Sequence, residues 1–176
     1  MVKILVKAGA NLNYQDGKGI TPLMNSTKSF RWGLDIFKYL IASGADLNLR
    51  DRNRDTVLIR LSRSGTDVLD PISSLLDGGA DPNIQNLEGG TAIMYVRCAN
   101  TELIFERMIK AGVNLDLQDN LGETVLMKNL WYSPYVEFFI AKGANVNLRD
   151  KNGKTALGRS NDYYTRKALI EAGGIE

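Results

Sequence analysis

The chain has 176 residues, 44% of them hydrophobic and 24% charged, with 22 Lys and Arg against 20 Asp and Glu. This composition describes an ordinary folded chain without a membrane-spanning apolar run, and a net charge of +2 gives no bulk pull toward nucleic acid or anionic lipid. The absence of histidine excludes Ser-His-Asp and Cys-His catalysis and imidazole metal sites, and a lone cysteine, Cys98, excludes an intramolecular disulfide and a Cys/His zinc site.

Residues 1–15 carry one apolar stretch, Ile4, Leu5 and Val6, closed by Gly9-Ala10-Asn11. The stretch is too short for a signal peptide and lacks a cleavage pattern. It has the form of a second helix without its partner. Three explanations stay open: a natural protein that extends upstream of Met1, a partner helix supplied in some other way, or a degenerate half-repeat acting as an N-terminal cap.

Residues 16–50 spell one complete unit. Asp16-Gly17-Lys18-Gly19 reads as a turn, with Gly19 free to take positive φ. Thr21-Pro22-Leu23 opens a short helix to about Lys28, with Thr21 as cap and Pro22 where its missing N–H is harmless. Apolar Leu34, Phe37, Leu40 and Ile41 predict a second helix over Leu34–Ala42. Gly44 fits the left-handed position that ends a helix, and Asp46-Leu47-Asn48 reads as an extended return with Leu47 turned inward.

The closing phrase recurs. Gly44-Ala45-Asp46-Leu47-Asn48 returns as Gly79-Ala80-Asp81-Pro82-Asn83, Gly112-Val113-Asn114-Leu115-Asp116 and Gly143-Ala144-Asn145-Val146-Asn147. From Gly9 the glycines step by 35, 35, 33 and 31 residues, a period that signals a solenoid. One such unit cannot bury its apolar face alone, whereas stacked units can. The openings recur too, at Thr21, Thr56, Thr91, Thr124 and Thr155. Full units are expected at 16–50, 51–85, 86–118 and 119–149. Residues 150–176 then form a C-terminal cap whose inner face is Leu157, Ala168, Leu169 and Ile170. Extra residues near Ser29-Phe30-Arg31-Trp32 and Ser64-Gly65-Thr66-Asp67 predict longer inter-helix loops in the first two full units.

These openings and closings resemble the ankyrin repeat family, with its D-x-x-G-x-T-P-L-H-x-A opening and its second helix ending in G-A-D-x-N. The resemblance covers nearly the whole chain as a single domain, 1–176. It implies an all-α solenoid of stacked helix-loop-helix units joined by short β-hairpin-like turns. Two departures stand out. The family histidine is replaced by Met24, Ile59, Met94, Met127 and Gly158, so the site is expected to have become core in the first four. Arg54 replaces the turn glycine held by Gly19, Gly89, Gly122 and Gly153, so that hairpin is expected to be distorted.

The resemblance also implies a binding surface made of hairpin tips and the exposed side of each first helix. Carried over by position, its charged residues are Lys18, Lys28, Arg52, Arg54, Asp55, Arg60, Arg63, Glu88, Glu123, Lys128, Lys151, Lys154 and Arg159. Ten basic against three acidic residues predict a basic concave face for an acidic protein partner. Tyr95 falls at the helix position of Asn25, Arg60, Lys128 and Arg159. With Trp131 and Tyr132 it is a candidate aromatic anchor. Phe30 and Trp32 are placed in the long loop, either as anchors or folded back over the helices.

Other signals carry little. Cys98 has no activating base. The sequon Asn25-Ser26-Thr27 begins inside a predicted helix, and Gly17-Lys18-Gly19 lacks the strand and the Gly-Lys-Ser/Thr of a phosphate loop. Basic residues are not interleaved with stacking aromatics, which argues against nucleic acid. The expectation is therefore a non-catalytic protein-binding module without cofactor or membrane span, cytoplasmic, of microbial style, with a scaffold, inhibitor or escort role. The alternative is the recognition segment of a larger enzyme or effector whose catalytic part lies upstream of Met1. Reversing Arg52, Arg60 and Lys128 to Glu is expected to weaken binding with folding little changed.

Overall fold

Threonine sets where each first helix begins. Its extended backbone turns the chain, and in four of the five units its hydroxyl accepts a hydrogen bond from the third N–H beyond it, satisfying a donor that the first helical turn leaves unpaired. In the computed structural model, Thr21 Oγ1 accepts from Met24 N at 3.1 Å, Thr56 from Ile59 N at 3.3 Å, Thr124 from Met127 N at 3.3 Å and Thr155 from Gly158 N at 3.2 Å. The structure describes residues 1–28, 30–66, 68–98 and 100–176, and of residues 30–33 the backbone alone.

The elements follow in pairs after a single leading helix. They are α1 (Val2–Lys7), α2 (Pro22–Ser26), α3 (Phe30–Ala42), α4 (Val57–Ser62), α5 (Leu69–Asp77), a 3-10 turn (Ala92–Tyr95), α6 (Thr101–Lys110), α7 (Val125–Lys128), α8 (Ser133–Ala141), α9 (Ala156–Arg159) and α10 (Tyr163–Glu171). Among the described residues there is no strand. First helices stack in one row, α2 on α4, α4 on the 3-10 turn, and α7 between that turn and α9. Second helices form the other row, α3 on α5, α5 on α6 and α8 on α10. The Phe105 ring of α6 closes the row against α8, meeting Tyr135 and Phe139 at centroid distances of 5.3 and 4.8 Å.

The core fills the space between the rows. First helices contribute Leu23, Leu58, Ile93, Leu126 and Leu157; second helices contribute Phe37, Ile72, Leu75, Ile104, Met108, Val136, Phe139 and Leu169. Met24, Ile59, Met94 and Met127, at the family histidine position, are buried as expected. Ile170 is not part of the core: it is 56% exposed on the outer side of α10, and Leu169 alone of that pair points inward.

Adjacent repeats are tied by a side-chain ladder. Asn13 Oδ1 accepts from Asp46 N, Asn48 from Asp81 N, Asn83 from Asn114 N, Asp116 from Asn145 N and Asn147 from Ile175 N, all at 2.6–2.9 Å. These are the last polar residues of each closing phrase. Their recurrence therefore fixes the stacking register as well as ending a helix.

Three local expectations are corrected. α3 begins at Phe30, not Leu34, so Phe30 and Trp32 belong to a helix rather than a loop; their side chains lie outside the described residues. The hairpin at Arg54 is not distorted. Arg54 adopts the left-handed φ of 59° and donates to Asp51 O at 2.8 Å, as Gly19 does to Asp16 O. The third first helix is a single 3-10 turn, and Thr91 there makes no side-chain cap bond.

Candidate functional site

Each hairpin begins with Asp or Asn, whose Oδ1 accepts two backbone N–H groups of its own turn. Asp51 Oδ1 takes Asn53 N at 2.8 Å and Asp55 N at 3.0 Å, and Asp119 and Asp150 repeat the pattern. The second oxygen faces the first helix. There it meets the residue nine positions later. Arg60 reaches Asp51 at 2.7 Å, Lys128 reaches Asp119 at 2.6 Å and Arg159 reaches Asp150 at 3.0 Å. Where the turn residue is neutral Asn86, the partner nine on is neutral Tyr95, its hydroxyl 3.1 Å from Asn86 Nδ2. In the first copy Asp16 is followed by Asn25.

Arg60, Tyr95, Lys128 and Arg159 thus hold the hairpins onto the first helices. Sequence reading placed them at one helix position but missed this role. The signal was there: the charge at that position matches the turn residue nine places back in four of five copies.

The locks differ in strength. Lys128 also reaches Glu123 at 2.8 Å, and Glu123 in turn binds Arg159, so Asp119, Lys128, Glu123, Arg159 and Asp150 form one chain across two repeats. Burial works against the charges of Asp119 and Glu123, yet the bonds from Lys128, and for Glu123 also from Arg159, hold both carboxyls below the usual carboxylate range. Burial likewise opposes the Lys128 charge, and its two carboxylate partners outweigh that and raise its pKa.

In the middle of the face, Arg63 lies 4.0 Å over the Tyr95 ring and pairs with Glu88 at 2.7 Å. Tyr95 donates to the same Glu88 oxygen at 2.7 Å. That hydroxyl, with Arg63 behind it, lowers the Glu88 pKa. Gly90 makes the arrangement sterically admissible, because a Cβ there would lie 2.2 Å from the Tyr95 hydroxyl.

The sequence-expected cations therefore divide. Arg60, Arg63, Lys128 and Arg159 are spent on internal carboxylates. Lys18, Lys28, Arg52, Arg54, Lys151 and Lys154 are exposed and form no ion pair among the described residues. Lys18, Arg52, Arg54, Lys151 and Lys154 stand on hairpin tips, and Lys28 follows the end of α2. Trp131 and Tyr132 sit elsewhere, in the loop before α8. They are 64% and 41% exposed, stacked at 5.7 Å, with Arg97 5.8 Å above the Trp131 ring. Among the described residues no group of three His, Cys, Asp or Glu could hold a metal ion, and no helix is long and apolar enough to cross a membrane.

Comparison with known proteins follows this architecture. The family model described as ankyrin repeats (3 copies) matches residues 1–86 and 58–150. No curated protein matches the chain. Among solved structures, an ankyrin repeat domain (ABAYE2397) from Acinetobacter baumannii AYE is 27% identical with a TM-score of 0.82, covering 99% of this chain and 93% of that one. The ankyrin repeat protein EF0377 is 23% identical with a TM-score of 0.79, covering 98% and 90%.

Proposed function

The chain belongs to the ankyrin repeat family, and from that premise we propose that it is a non-catalytic module that recognises one protein partner with an acidic surface through its concave, hairpin-bearing face. The observation that supports this reading is the division of the cations. Those at the base of the face are consumed in holding it rigid, while those at its tips point to solvent with no internal partner. A preformed face binds without a large ordering cost, and tip charges steer the encounter. Exposed Trp131 and Tyr132 offer a second contact at the inter-helix edge. An intracellular, microbial setting and an inhibitor or escort role belong to the same reading, and a single cysteine fits the former.

The ion pairs change which variant tests it. Reversing Arg60 or Lys128 would set Glu against Asp51 or Asp119 and damage the fold itself. The informative variant is Lys18→Glu/Arg52→Glu/Lys151→Glu, whose side chains are unpaired. Capture from a native lysate, read by mass spectrometry, should give one protein with the wild type and lose it with the variant. Equal capture by both would remove the hairpin tips from the binding surface.

A further inference from the structure

Three of the unpaired cations converge. Lys18 from the first hairpin, Arg52 from the second and Lys28 from beyond α2 line one open cleft of about 430 Å³, with Ile20 and Asn53 among its walls. Arg60 borders the same cleft, held by Asp51. Its Nε is buried without an acceptor, so its hydrogen-bonding demand is only partly met.

The nearby acidic groups offset only part of this charge: Lys18, Lys28, Arg52 and Arg60 stand against Asp51, which also lines the cleft, and Asp16. Asp51 spends Oδ1 on Asn53 N and Asp55 N and Oδ2 on Arg60. Asp16 spends Oδ1 on the backbone of Lys18 and Ile20. The backbone bonds from Ile20 and Lys18, with smaller help from the Lys18 and Lys28 charges, hold its carboxyl below the usual range, so Asp16 stays ionised and offsets one of these cations, leaving the excess to the others. At the other end of the face, by contrast, Lys128 and Arg159 each meet two carboxylates.

We propose that the cleft between the first two hairpins is an anion subsite that takes an acidic side-chain group of a protein partner, a carboxylate or a phosphate, on Lys18, Lys28 and Arg52. The proposal rests on the hairpin-face reading above and adds a polarity to it: the partner's acidic segment lies toward the N-terminal repeats. Three cations around one cleft suit a short acidic segment rather than a polyanion. A nucleic acid needs a longer basic track with stacking platforms, and this face has no such track.

The test uses labelled hexaglutamate, a phosphoserine-containing peptide of the same length and a glutamine peptide as neutral control. Binding is read by fluorescence anisotropy and by amide shifts in isotope-labelled protein. One or both anionic peptides should shift the amides of Lys18, Ile20, Arg52 and Asn53 saturably, and their ranking separates carboxylate from phosphate. Lys18→Ala/Arg52→Ala should weaken that peptide about tenfold or more, with an unchanged thermal midpoint. Lys151→Ala/Lys154→Ala should change it less than about twofold.

Equal loss in both double variants would reduce the effect to diffuse charge and overturn the subsite. So would missing shifts, or tighter binding of a single-stranded oligonucleotide by the same residues. If Lys18→Ala/Arg52→Ala still captures the lysate protein while a variant elsewhere on the face does not, the subsite fails and the face reading stands. If no variant of the face alters capture, the reading itself fails, whatever the peptides do.

Discussion

Arg54 is the one described non-glycine residue with positive φ, at 59°. An L side chain in that conformation costs about 1–2 kcal/mol, from the clash of Cβ with the local backbone. At three of the four equivalent turn glycines a side chain would also meet a neighbour: a Cβ on Gly19 would lie 2.9 Å from Asp51 Cα, one on Gly89 2.7 Å from Asn120 N and one on Gly122 2.7 Å from Lys151 N, whereas Gly153 faces open space. Arg54→Gly should therefore stabilise the fold by about 0.5–1 kcal/mol, the relief of strain less the added freedom of glycine in the unfolded chain. A urea midpoint that falls in this variant would show the strain to be absent. Gly90→Ala should act in the opposite direction. With a Cβ 2.2 Å from its hydroxyl, Tyr95 must swing away and release Glu88 and Arg63. A loss of about 2 kcal/mol is expected. Tyr95→Phe in the Gly90→Ala background should then cost little more, because the hydroxyl has already lost its partners.

At the scale of single elements, the threonine caps give an internal comparison. Thr56 Oγ1 caps α4 by accepting from Ile59 N, whereas Thr91 Oγ1 is buried with no hydrogen-bond partner at the head of the 3-10 turn. Thr→Val keeps the side chain's volume and removes only the hydroxyl. Thr56→Val should cost about 1 kcal/mol. Thr91→Val should be neutral or slightly stabilising, since it removes an unsatisfied buried group. Matching losses in chemical denaturation would mean that Thr91 caps after all. Sequence reading saw five equivalent threonines because the motif is local. The third copy differs at Gly90 and Tyr95, which bring a ring against the turn where three of the other copies bring a charge. The same limit explains α3. Its start at Phe30 was hidden by Gly33, which breaks the apolar pattern that marked Leu34 onward. Element type and order were legible from periodicity and capping, while helix starts and the exposure of Ile170 depended on packing between repeats. The tip cations were legible one by one. Their division into spent and unspent groups was legible only through the nine-residue pairing.

For the whole molecule, the ion pairs are distributed unevenly, and that gives the fold a direction. The chain Asp119–Lys128–Glu123–Arg159–Asp150 crosses from the fourth full repeat into the last, whereas Asp51 has Arg60 alone and Asp16 has no cation nine residues on. Asp119 and Glu123 have pKa values depressed in the fold. Their contribution to stability is therefore complete above the unfolded-state carboxylate values of about 4 and is lost as pH falls below that range. Lys128→Met removes the shared partner while keeping the aliphatic stem. At about pH 7 it should cost about 2 kcal/mol, less than a fully buried pair because the lysine keeps some contact with water. As pH is lowered toward about 3, wild-type stability should fall faster than that of the variant, and the gap between them should close. Arg60→Met, which breaks a single pair at the other end, should cost less at neutral pH. Urea midpoints for the three proteins across that range decide the matter. A gap for Lys128→Met that stays constant with pH would mean that the lysine does not act through the Asp119 and Glu123 carboxylates. In that event the C-terminal repeats would owe their rigidity to the Asn and Asp ladder between the closing phrases rather than to charge.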